Sequence, residues 1–157
     1  MTASSSRSFV TRSAAETVAL GRRLGKALRG GDVVLLSGDL GSGKTTLAKG
    51  IAAGAGFKGL VASPTFTLAH TYRARRGAVY HLDLYRIAAA ESGDIGIEDF
   101  LADASGVCLI EWPAAAQAYC PKDRLEVSLA VAPRGRRLKF RARGPRGRAA
   151  LKALGRA

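Results

Sequence analysis

Residues 33–45 read VVLLSGDLGSGKT, and they decide the fold. Val33-Val34-Leu35-Leu36 is a continuous apolar run of the kind that forms a strand covered on both faces. Gly38-Asp39-Leu40-Gly41-Ser42-Gly43-Lys44-Thr45 follows with the spacing of a P-loop, and Thr46 to Ala53 opens a helix-like run. Strand, glycine loop and helix in that order are what a phosphate-binding loop needs. Three glycines let backbone N–H groups curl round an anion at a helix N-terminus, where the dipole also favours negative charge. Lys44 can reach the β- and γ-phosphates, and the Thr45 hydroxyl can ligate a Mg²⁺ bridging them. Asp39, Ser42 and Thr46 share the loop and its helix start, so they join Gly38, Gly41, Gly43, Lys44 and Thr45 as candidate nucleotide contacts.

Outward from this stretch the chain alternates helix and strand signals. Ser13-Ala14-Ala15-Glu16 has capping-box spacing before Val18, Leu20, Leu24 and Leu28, which predicts a helix over about 14–29 ended by Gly30-Gly31. A strand is expected over 33–37 and a helix over 44–54. Ser63-Pro64-Thr65-Phe66-Thr67-Leu68 carries three hydroxyls where P-loop GTPases keep a switch segment, and an ordinary polar strand fits it equally. Residues 78–85 alternate as a strand that reaches Asp83. Val107-Cys108-Leu109-Ile110 reads as a second central strand, ended by Glu111, Trp112 and Pro113. An acid at that end is where a Walker-B-type carboxylate sits, opposite the P-loop. Leu125, Val127, Leu129 and Val131, then Leu138, Phe140 and Ala142 after Pro133-Arg134-Gly135, predict a β-hairpin at the sheet edge. The expected architecture is α/β, a P-loop three-layer fold with a mixed, mainly parallel central sheet. Residues 1–143 form one domain and 144–157 a basic tail, with residues 1–9 polar and frayed.

Composition limits the function classes. The 157 residues allow one domain with a real core, and 47% hydrophobic residues with a mean hydropathy of +0.04 is globular. Apolar runs fall far short of the ~20 residues of a membrane span, and the N-terminus lacks a signal-peptide core. Cys108 and Cys120 form neither a CxxC pair nor a metal spacing, which suits a reducing cytoplasm. The net charge of +13 is uneven: 12 Lys and Arg follow Pro121 against Asp123 and Glu126, while residues 83–111 hold seven acids and Arg86. A basic C-terminal region suits an anionic partner such as RNA, or it solvates the surface of an arginine-rich chain.

Four blocks together, GDLGSGKTTLAKG (38–50), SPTFTL (63–68), YHLDLYRI (80–87) and CLIEWP (108–113), resemble the TsaE family over roughly residues 10–143. That family is the P-loop ATPase subunit of the bacterial machinery that makes threonylcarbamoyladenosine on tRNA. The resemblance implies ATP with Mg²⁺, slow intrinsic hydrolysis, and action beside TsaB and TsaD rather than as the transferase. It implies that Lys44, Thr45, Asp83 and Glu111 serve the nucleotide, with Thr45, Asp83 and Glu111 as the metal's candidates. It also places Thr11, Arg12 or Ser13 near adenine. Thr11-Arg12-Ser13 replaces the family's usual acidic or Pro-Asp stretch, and Ser92-Gly93-Asp94 interrupts its usual Glu-Leu helix.

Each role has a plainer rival. Asp83 could instead pair with Arg86, Glu111 could be a surface acid, and Trp112 could pack the core rather than stack on a base or partner. His81 reads as a structural residue, and Ser13 as a helix cap. Two other function classes share the P-loop. A small-molecule kinase would need a lid supplying arginines, and Arg73, Arg75 and Arg76 sit in too short a segment. A nucleic-acid-binding protein with structural ATP would bind tRNA through the basic tail without turnover.

Overall fold

The apolar run at 33–36 forms the middle of a seven-stranded sheet. A computed structural model describes residues 5–64, 68–87 and 96–155. Strand β1 (Ser5–Thr11) leads to helix α1 (Ala14–Ala27), strand β2 (Val33–Ser37) and helix α2 (Lys44–Gly54). A hairpin of β3 (Ala69–Ala74) and β4 (Gly77–Asp83) precedes helix α3 (Ile97–Ala102) and strand β5 (Val107–Glu111). A 3₁₀ turn (Pro113–Ala116), the hairpin β6 (Arg124–Ala132) and β7 (Gly135–Arg143), and helix α4 (Pro145–Ala153) complete the chain.

The sheet order is β1-β7-β6-β2-β5-β4-β3. β6, β2, β5 and β4 run parallel, while β7, β1 and β3 add antiparallel edges. β2 and β5 are buried throughout their apolar residues because helices or turns cover both of their faces. One face packs Leu20, Leu24, Leu47 and Ile51 of α1 and α2, and Leu151 of α4, against Leu36, Leu109 and Phe140. The other packs Ile97 of α3 and Ala116 of the 3₁₀ turn against Leu35, Cys108 and Ile110. This is the expected mixed α/β fold with its C-terminal hairpin.

Helix α1 starts as the capping pattern predicts: Ser13 Oγ accepts from Glu16 N at 3.1 Å, and Glu16 Oε2 accepts from Arg12 N at 2.6 Å. α1 then lies unusually close to α2. Gly21 and Gly25 on one helix face Gly50 and Gly54 on the other, and a Cβ at Gly25 would stand 2.1 Å from Ile51 O. No side chain fits there, so four glycines let the two backbones touch. That contact sets the entry to α1 above the P-loop.

The structure corrects three expectations. Residues 5–11 are not frayed: they pair in register with β7, and Phe9 and Thr11 are buried. The strand β3, unforeseen, pairs with β4 across a turn at Arg75 and Arg76. Of the expected tail over 144–157, the described residues 144–155 do not trail. Pro145 starts α4, whose Ala150 and Leu151, with Leu154 just past its end, join the main core, so the core continues past the expected boundary at Arg143. The expected switch hydroxyl Thr65 and residues 88–95 of the acidic region lie outside the described residues, while Ile97–Ala102 of that region is helical.

Candidate functional site

The C-terminal ends of β2, β5 and β4 meet at one cavity of about 310 Å³. The crevice outside the carboxyl ends of parallel strands is where α/β sheets bind ligands. β2 delivers the P-loop. Gly38, Gly41 and Gly43 have φ of 147°, 79° and 106°, in a region side chains rarely adopt, so only glycines give this loop its curl. A Cβ at Gly38 would also stand 2.4 Å from Leu129 O, which holds the loop against β6.

Gly41, Gly43, Lys44, Thr45 and Thr46 line the cavity, whereas the expected contacts Gly38, Asp39 and Ser42 are not among its lining residues. Lys44 is only 5% exposed, and its Nζ donates to the carbonyls of Gly38 at 2.5 Å and Asp39 at 2.9 Å. The same Nζ lies 4.3 Å from the centre of the Trp112 ring, a cation–π contact. Burial lowers the Lys44 pKa, and the nearby Glu111, Asp83 and Asp39 act against that shift. Ser42 Oγ is buried and has no hydrogen-bond partner among the described residues, an unmet polar atom inside the glycine loop.

Glu111 and Asp83 end neighbouring strands and face each other in register. Both are buried, at 2% and 3% exposure. Thr45 Oγ1 lies 3.5 Å from Glu111 Oε2 as its donor, and Asp83 Oδ1 accepts from Tyr85 N at 3.0 Å. Among the described residues no three His, Cys, Asp or Glu gather as a self-sufficient metal site. Two acids and a threonine at the mouth of a P-loop fit a Mg²⁺ that takes its remaining oxygens from phosphates and water.

His81 belongs to the site, which the residue pattern alone did not show. It is fully buried, and its Nε2 donates to Glu111 Oε2 at 2.5 Å. Its Nδ1 lies 3.2 Å from the Tyr72 hydroxyl, which in turn lies 3.3 Å from His70 Nδ1. The backbone is held with equal care: Trp112 N donates to Leu36 O at 3.2 Å and Asp83 N to Leu68 O at 2.9 Å. Leu68 and Trp112 are the non-glycine residues with positive φ among those described, and each is bonded or adjacent to one of the two acids. Such conformations cost about 1–3 kcal/mol each and concentrate at functional sites.

The opposite wall comes from β1, the start of α1 and the hairpin. Thr11, Arg12, Ser13, Thr17, Gly135 and Arg136 line it. Thr11 is buried, and its hydroxyl lies 2.7 Å from that of Thr17. Trp112 is half-buried at the Lys44 end, its ring 4.8 Å from Tyr85. Thr17, Leu40, Ser63 and Arg136 were not among the expected contacts. Arg136 carries no motif; only the pairing of Thr11 with Arg136 across β1 and β7 brings it here. Arg76 is no lid residue, because its guanidinium donates to the carbonyls of Gly25 and Lys26.

A mixed sheet whose parallel strand ends place a P-loop lysine and threonine beside two buried carboxylates defines the class as a P-loop α/β fold. Comparison with known proteins narrows the class. The family model for threonylcarbamoyl adenosine biosynthesis protein TsaE matches residues 11–138, and the chain belongs to that family. A relative from Treponema pallidum (strain Nichols), tRNA threonylcarbamoyladenosine biosynthesis protein TsaE, is 40% identical over 129 residues, 82% of this chain and 94% of its own length. The protein of the same name from Bacillus subtilis (strain 168) is 40% identical over 112 residues, 71% of this chain and 70% of its own. The crystal structure of Bacillus subtilis YdiB superposes with a TM-score of 0.79 at 31% identity, covering 98% of this chain and 97% of that one.

Proposed function

We propose that the protein is an ATP-binding and ATP-hydrolysing subunit of tRNA threonylcarbamoyladenosine biosynthesis, acting in the cytoplasm beside TsaB and TsaD. The observation that carries this is the convergence of Lys44, Thr45, Asp83 and Glu111 on one P-loop cavity in a chain of the TsaE family. The P-loop amides and Lys44 hold the β- and γ-phosphates. On binding, Lys44 exchanges its two carbonyl partners for phosphate oxygens, and Ser42 Oγ gains a partner. Thr45 with Glu111 or Asp83 would hold Mg²⁺, which would neutralise phosphate charge when bound. The carboxylate not committed to the metal orients the attacking water. His81 fixes the rotamer of Glu111. Thr11 and the first turn of α1 border the space for the base.

This chemistry is positioning plus electrostatic stabilisation, without a covalent intermediate. The kinase reading needs arginines on a lid, and Arg76 instead donates to the carbonyls of Gly25 and Lys26. The test is ATP turnover by wild type, Lys44→Ala and Glu111→Ala, alone and with TsaB, TsaD and tRNA. Weak activity that rises with the partners and is lost in both variants supports the proposal. Turnover indifferent to the partners refutes it.

A further inference from the structure

β7 carries one wall of the core and, on its reverse, a column of cations. Leu138, Phe140 and Ala142 are buried beneath α1 and α4, so Arg137, Lys139 and Arg141 point to the other side and are exposed. The register places Ser8 and Ser128 either side of Lys139, and Val10 and Ala130 either side of Arg137. Ser8, Val10, Ser128 and Ala130 are all exposed. Over β2 and β5 this face of the sheet is covered by α3 and the 3₁₀ turn. Over β6, β7 and β1 it is bare among the described residues.

Local acids do not account for the column. Glu126 takes Arg124 at 2.8 Å and Arg143 at 2.9 Å, and Asp32 takes Arg146 at 2.9 Å. Arg137, Lys139 and Arg141 have no ion-pair partner among the described residues. Ser8, Ser128, Val10 and Ala130 bring no charge to Lys139 and Arg137, whereas Arg141 stands between Ser6 and Glu126, whose carboxylate already takes Arg124 and Arg143; the three heads follow at ~6.8 Å intervals along the strand. We propose that this sheet face binds the phosphate backbone of structured RNA. No aromatic side chain lies on it for bases to stack on, so it reads charge and shape rather than sequence. In the region expected to be a basic tail, α4 turns Leu151 inward and commits Arg146 to Asp32.

The proposal stands on this face alone, apart from the nucleotide site. Its test is the affinity of the full chain for fluorescein-labelled tRNA, by anisotropy across a salt series. Each phosphate contact contributes about 0.9 to the slope of log affinity against log salt. The triple variant Arg137→Thr/Lys139→Thr/Arg141→Thr, with β-favouring replacements, should flatten that slope by about 2–3. Lys139→Thr alone should flatten it by about 0.9 and guards against misfolding of the triple variant. Removing the exposed Arg22, Arg23 and Lys26 of α1, a matched loss of charge, should leave the slope as in wild type. Equal flattening by both triple variants would overturn the proposal, as would wild type that fails to bind. So would a β7 variant that keeps its RNA slope but loses TsaB and TsaD, which would assign the face to an acidic protein. Wild type that turns over ATP with its partners yet binds no RNA sinks this face and leaves the functional proposal standing.

Discussion

Lys44 is buried between two carbonyls, an indole ring and two carboxylates, an arrangement that makes sense for a cation waiting for an anion. Lys44→Ala should abolish measurable ATP binding in calorimetry while leaving the fold intact, because α2 keeps its glycine-shaped start. His81 acts one step back from the chemistry, through Glu111. If Glu111 serves the metal as proposed, His81→Ala should lower kcat about 10–100-fold, the usual effect of losing a group that orients a metal ligand, with little change in ATP affinity. Equal losses in kcat and affinity would instead assign His81 a general structural role. Cys108 shows the opposite case of a buried group without work to do. Burial pushes its thiol up to about 12, so a thiol reagent near neutral pH should modify it only after unfolding, as mass spectrometry can read.

Among the elements, the α1–α2 contact fixes the distance between the P-loop and the wall that holds Thr11. Gly25→Ala would force Ile51 O away from a Cβ 2.1 Å distant, and should cost about 1–3 kcal/mol by urea unfolding. The β6–β7 hairpin makes a pH-dependent prediction. Burial acts to raise the Glu126 pKa, but hydrogen bonds and charge from Arg124 and Arg143 outweigh it and hold the carboxyl below 4.5. Its folded pKa is therefore depressed, so its contribution to stability is present above 4.5 and lost as pH falls through the folded value. The stability difference between wild type and Glu126→Gln should shrink across that acid range. A difference constant with pH would contradict the assignment. At this scale the pattern was legible wherever apolar residues were dense. β2, β5 and α2 follow directly from their residues. β1 was not legible, because Ser5–Thr11 is polar and owes its strand to pairing with β7, some 130 positions along the chain. α4 was obscured by Gly147 and three basic residues, Arg146, Arg148 and Lys152, although Ala150, Leu151 and Leu154 mark its buried side.

For the whole molecule, sequence motifs supplied one wall of the site and topology the other. The P-loop, Asp83 and Glu111 could be read because each ends a strand signal. Arg136 and Thr17 could not, since no local pattern says which strand pairs with which at the far edge. The same topology separates two surfaces: the nucleotide cavity at the strand ends, and the bare basic face of β7 that begins one residue past its rim. No described helix is long and apolar enough to cross a membrane. On the proposed function, ATP handled at this P-loop serves threonylcarbamoylation of tRNA. Its most direct measurement is modified adenosine formed on tRNA in a mixture of TsaB, TsaD, threonylcarbamoyl donor and ATP, with this protein omitted, wild type, or carrying Lys44→Ala or Glu111→Ala. The account predicts sustained modification with wild type only, and background levels with either variant. Modification by Lys44→Ala at the wild-type level would contradict it.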